Sequence, residues 1–126
     1  MKLRCVTNSI RLRVRKSDLD ALTQHDRISD SIDFGGGNAL SYELTLGEGQ
    51  DLFATFTCNR ITITVPRDMA HEWIASEVVS LEKLQALKGG ERLHILIEKD
   101  FPCRHTTEAN REDTFYELAH KDETEC

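Results

Sequence analysis

Ser9-Ile10-Arg11-Leu12-Arg13-Val14-Arg15 alternates apolar and cationic residues without a break. A strand buried on one side sends successive side chains to opposite faces, so this stretch reads as a half-buried strand. Ile10, Leu12 and Val14 face inward; Arg11, Arg13 and Arg15 face outward. The same alternation returns 51 residues later in Asn59-Arg60-Ile61-Thr62-Ile63-Thr64-Val65, with threonines at two of the arginine places.

Working outward, residues 2–46 lie on residues 53–99 at an offset of 51 that lengthens to 53 in the middle. Asn8 falls on Asn59, Leu12 on Ile63, Ser17 on Asp68 and Leu22 on Trp73; Gly36-Gly37 falls on Gly89-Gly90, and Leu44 on Ile97. Each half reads hairpin, short helix, hairpin. In the first half Ser17 is placed to cap a helix over 18–24, with Asp18 and Asp20 at the positive end of its dipole. Further strands are expected at 27–34, 40–46, 53–58, 60–65, 78–84 and 92–99. The expected fold is therefore α+β and β-rich: duplicated hairpin-helix-hairpin units forming a barrel-like antiparallel sheet with two short helices. The expected core is Ile10, Leu12, Val14, Leu22, Ile32, Phe34, Leu44, Phe56, Ile61, Ile63, Val65, Trp73, Leu93, Ile95 and Ile97. Both glycine runs join strands, so they read as turns that need positive φ and not as phosphate loops.

The chain has 126 residues and a formal charge of -6. That length suits one domain, here 1–101 followed by an acidic tail at 102–126, and is enough for a core without disulfide or metal staples. No run of 18 apolar residues and no apolar signal core at the N-terminus is present, so neither a membrane helix nor export is expected. A cytoplasmic location is the expectation. Cys5, Cys58, Cys103 and Cys126 form no Cys-x-x-Cys pair and read as free thiols, with Cys5 in phase with Leu3 on an apolar face.

The charge is polarised. Residues 1–16 hold six bases and no acid, which leaves -12 on the other 110 residues; 98–126 hold nine acids and four bases. If Thr7-Asn8 is a two-residue turn, Arg4 stands opposite Arg11 and Lys2 opposite Arg13, and like charges directly opposed on a sheet repel. Lys2, Arg4, Arg11, Arg13 and Arg15 thus form a candidate anion- or partner-binding face. The leading expectation is a non-enzymatic binding or assembly domain. In it the basic hairpin pairs with acids of the tail, of another copy in a homo-oligomer, or of an acidic protein partner. The same arginines could instead hold a phosphate-type anion, because a guanidinium fork matches phosphate oxygens. Nucleic acid is not an expected partner, since the chain is acidic overall and no aromatic residues interleave with the arginines.

A third reading is zinc, the one cofactor the sequence suggests, through Cys103, His105, His120 and Cys126; the donor types suit a tetrahedral ion, but the spacings do not pre-organise one. His71-Glu72 lacks the second histidine of a zinc-protease helix, because position 75 is Ala. No catalytic residue is assigned: Cys103 with His105 or His94 as base has no local oxyanion donor or orienting group.

Asn8-Ser9-Ile10-Arg11-Leu12-Arg13 leading into Lys16-Ser17, Ile32-Asp33-Phe34-Gly35, and the run from Leu93 to Cys103 together resemble a family of short, uncharacterised bacterial proteins, a domain of unknown function. The resemblance spans about residues 2–103. Its most specific piece is Glu98-Lys99-Asp100-Phe101 followed by Cys103. Glu112-Asp113-Thr114-Phe115 is similar to the family's usual ending, without its proline-rich close. The resemblance implies a bacterial cytosolic origin and a self-contained domain, and carries over no catalytic or binding residue.

Overall fold

The computed structural model describes residues 1–100. In chain order the elements are β1 (Lys2–Val6), β2 (Ser9–Val14), α1 (Lys16–His25), β3 (Arg27–Gly35), β4 (Asn38–Gly47), β5 (Phe53–Thr57), β6 (Arg60–Pro66), α2 (Arg67–Ala75), β7 (Ser80–Ala86) and β8 (Arg92–Lys99). Thr7-Asn8 is the turn of the first hairpin, since Val6 pairs with Ser9. Asn8 takes φ 51°, and Cys58 and Asn59 take 50° and 58° in the matching turn. Asparagine tolerates this left-handed region; cysteine is the less usual occupant. Gly36-Gly37 and Gly89-Gly90 have positive φ and join strands on both sides, as turns.

The strands form two four-stranded sheets, in the orders β1-β2-β8-β7 and β3-β4-β6-β5, and not one antiparallel barrel. Each half of the chain gives one hairpin to each sheet. The hairpins meet along parallel central pairs, β2 with β8 and β4 with β6. Raising each strand number of the first half by four, and lowering those of the second, turns one order into the other. Where a barrel would close, side chains bridge the gap in place of a backbone ladder. The Gln85 carboxamide on β7 accepts from the Ala54 N–H (2.7 Å) and donates to the Ala54 carbonyl (3.0 Å) on β5. Lys83 of β7 pairs with Asp51 just before β5. At the other opening the Met1 amino group lies 3.9 Å from Asp30 of β3. The Gln85 contacts occupy the Ala54 N–H and carbonyl, edge groups that would otherwise be unpaired.

The four central strands supply the core: Leu12 and Val14, Leu44 and Leu46, Ile63 and Val65, Ile95 and Ile97. Leu19 and Leu22 of α1, Ala70 and Trp73 of α2, Leu52 just before β5 and Ala54 within it complete it. Fully burying such an aliphatic side chain is worth about 1.5–3 kcal/mol, which makes these alternations the main determinant of the fold. The expected core needs correction at its rim. Ile10, Ile61 and Leu93 are half-buried, while Ile32, Phe34 and Phe56 are exposed (43 %, 69 % and 63 %). Strands β3 and β4 have 9 and 10 residues against 5 and 6 in β1 and β2, so the tip of the longer hairpin outruns its cover. Cys5 is likewise exposed. Alternation fixes which face a side chain takes, not whether anything reaches that face.

Helix α1 corrects the capping expectation. It starts at Lys16, so Ser17 lies inside the first turn. Asp18 takes the capping part: its carboxylate accepts the Arg15 backbone N–H at 2.8 Å and sits 3.0 Å from the Met1 ammonium. Burial works to raise the Asp18 pKa; the Arg15 N–H bond and the ammonium outweigh it and hold the carboxyl below its usual range. At the other helix, Lys99 donates to the Trp73 and Ser76 carbonyls (2.9 and 2.7 Å) and stands 5.4 Å from the Trp73 ring centroid. A cation thus serves the negative end of α2 and the ring face together. Among the described residues no helix is long and apolar enough to cross a membrane.

Candidate binding face on the first sheet

The face of the first sheet opposite the core is built by the other half of each alternation. Register places its side chains in three rows: Lys2, Arg13, Glu98 and Ser80; Arg4, Arg11, Leu96 and Glu82; Val6, Ser9, His94 and Leu84. The expected oppositions of Arg4 with Arg11 and of Lys2 with Arg13 are therefore real. Hairpin geometry imposes them, because a two-residue turn leaves the strands one register.

The repulsion is offset from within the sheet. Parallel pairing sets Arg13 beside Glu98 on β8. The Arg11 Nε donates to Glu98 Oε1 at 2.7 Å, and Arg11 Nη2 lies 2.5 Å from the same oxygen. Arg13 Nε is 3.0 Å away, close enough for an ion pair but out of line for a hydrogen bond. The Glu98 side chain is only 10 % exposed, covered by the two guanidinium groups. Asp100, whose N–H bonds to the Val14 carbonyl, extends the acidic line: Lys2 lies 3.8 Å and Arg13 4.0 Å from its carboxylate. Arg4 is exposed, and among the described residues no carboxylate comes within 4.0 Å of it. Arg15 is set apart from the others, at the start of α1.

The third row is polar and hydrogen-bonded at its centre, Ser9 and His94, with apolar Val6 and Leu84 at its ends. His94 Nε2 meets Glu82 Oε1 at 2.7 Å, and Nδ1 lies 3.4 Å from the Ser9 hydroxyl. His94 thereby ties Ser9 of β2 to Glu82 of β7 through β8. The His94 backbone N–H is taken by the Asn8 carbonyl.

Sequence reasoning missed two things. It looked for the neutralising acids in the tail or another copy, although the parity of His94, Leu96, Glu98 and Asp100 already placed both acids on one face of a strand. It also missed the second sheet's counterpart: Glu43 on β4 is buried, with Arg60 and Arg27 at 3.6 and 3.9 Å. Cys5 and Cys58 are free thiols. The proposed zinc ligands Cys103, His105, His120 and Cys126, and the tail itself, lie outside the described residues. Among the described residues no three His, Cys, Asp or Glu side chains gather closely enough to hold a metal ion. His71 is exposed on α2.

Two small mixed sheets around one core, each with a carboxylate under arginines on its outer face, define a β-rich α+β domain with internally charge-paired surfaces. The chain belongs to the family of unknown function DUF7009, which matches residues 1–118. No curated protein and no solved structure matches it.

Proposed function

We propose that this domain is a non-enzymatic binding or assembly module whose β1–β2 hairpin receives carboxylates of an acidic partner. One observation carries the reading. Glu98 and Asp100 serve Arg11, Arg13 and Lys2, whereas Arg4, directly opposite Arg11, is left exposed with no acid of the described residues in reach. An exposed guanidinium next to a second one held in place presents aligned donors to an incoming carboxylate at little ordering cost. An outer sheet face is better suited to a macromolecular partner than to a small molecule, for which a concave site is the rule.

We also infer that the two halves arose by duplication. The exchange of one sheet order for the other under a shift of four strands supports this, as does the placement of both helices after the second strand of each half.

The test is titration of a fluorescent oligoglutamate peptide into the full chain at low salt, with oligolysine as control. Binding that weakens with salt and is lost in Arg4→Ala supports the reading; equal binding by wild type and Arg4→Ala overturns it. A rise in melting temperature with inorganic phosphate but none with the peptide would assign the same arginines to a phosphate-type anion.

A further inference from the structure

The described chain stops on the face just proposed for acidic partners. Asp100 lies between Lys2 and Arg13, so residues 101–126 begin beside the basic hairpin. They carry seven acids against three bases. The family match runs on to residue 118 and so takes in Glu112-Asp113-Thr114-Phe115-Tyr116-Glu117-Leu118, where acids flank aromatic and aliphatic residues. The sheet face has the complementary mixture. Arg4 and Arg11 share a row with the half-buried Leu96, and Val6 and Leu84 stand 63 % and 51 % exposed one row further on.

We propose that residues 112–118 are the built-in occupant of this face, with Glu112 and Asp113 on Arg4 and Arg11 and with Phe115 and Leu118 over Leu96, Leu84 and Val6. This rests on the acid-binding reading and gives it a regulation: the chain's own segment competes with an external acidic partner for the same guanidinium groups. Reach is no obstacle. Glu112 lies twelve residue steps beyond Asp100, roughly 40 Å of extended chain, while two residues along a strand, the step from Lys2 to Arg4, cover only about 7 Å. Tethering turns even weak ion pairs into effective competition, because the local concentration of a short linked segment is in the millimolar range.

The experiment keeps the full chain and compares wild type with Glu112→Gln/Asp113→Asn. Removing two exposed pairs of about 0.5 kcal/mol each should tighten oligoglutamate binding about fivefold. Independently, zero-length carbodiimide coupling should join the Lys2 amine, which is exposed, to carboxylates within 112–118, and Phe115→Ala should reduce the yield. Unchanged peptide affinity in the double variant, with binding still lost in Arg4→Ala, overturns self-occupancy and leaves the acid-binding reading standing. If neither chain binds the peptide, the acid-binding reading fails. Coupling then decides about the segment alone: beyond the Lys2–Asp100 adduct that the 3.8 Å contact already predicts, Lys2 adducts to 112–118 support its placement, and their absence overturns it.

Discussion

Replacing Glu98 by Gln keeps the shape of the side chain and removes the charge that two arginines share. Three guanidinium nitrogens converge on its Oε1, at 2.5, 2.7 and 3.0 Å. Without the carboxylate, Arg11 and Arg13 stand against Arg4 and Lys2 with only Asp100 nearby, 4.0 Å from Arg13. Breaking a fully buried pair costs about 3–5 kcal/mol. Here the carboxylate is 10 % exposed but Arg11 and Arg13 are 34 % and 18 % exposed, and solvent screening reduces the loss to roughly 2 kcal/mol. For a domain of this size that corresponds to a fall in Tm of roughly 8 °C. Thermal and urea denaturation at neutral pH and low salt measure it, and the gap should narrow at about 0.5 M salt. A triple variant, Arg11→Met/Arg13→Met/Glu98→Leu, removes all three charges together and should return close to wild-type stability. If Glu98→Gln changes stability by less than about 0.5 kcal/mol, the hairpin's charges are solvated independently of β8 and the electrostatic account of the face is wrong.

Other expectations follow from single contacts. A Cβ on Gly47 would stand 2.6 Å from Thr64 Cγ2, which belongs to a stiff β-branched side chain; Gly47→Ala should lose about 1–2 kcal/mol, and Thr64→Ser should restore much of it. Lys99→Met removes the cation from the α2 carbonyls and the Trp73 ring; a loss of about 1–2 kcal/mol is expected, together with a shift in the emission of the chain's one tryptophan. Asp18 is held below its usual carboxylate range, so its contribution is complete above the unfolded pKa of about 3.9 and fades as pH falls through the lower folded value. Asp18→Asn should therefore cost stability at neutral pH and show a shallower acid limb below about pH 4, read by melting temperature against pH. Phe34→Ser, at a 69 % exposed position, should leave stability within about 0.5 kcal/mol, whereas a core phenylalanine would lose several times that.

Strand locations were largely legible because alternation is a local signal. Ile10 through Arg15 and Ile61 through Val65 each need only their neighbours to declare a face, and a two-residue turn then sets Arg4 against Arg11. Which hairpin lies beside which is not local. Nothing in Arg13 or Glu98 alone announces that β2 and β8 run parallel, so the acids that matter were sought in the tail. The same gap explains Phe34: its phase was right, but its cover depends on the length of strands in another part of the chain. Arg4 was legible as a repelled cation; that its neighbours were already served could be seen only once the sheet was assembled.

The crossed arrangement of the hairpins has a consequence for the birth of the protein. The central parallel ladder of the first sheet joins residues near 10 to residues near 96, so as synthesis proceeds from the amino end the earliest hairpin must wait, with Leu12 and Val14 uncovered, until almost the whole domain has left the ribosome. A truncated nascent chain would therefore expose an apolar strand edge beside a cluster of positive charge. Folding should be abrupt and late, set off when β8 emerges.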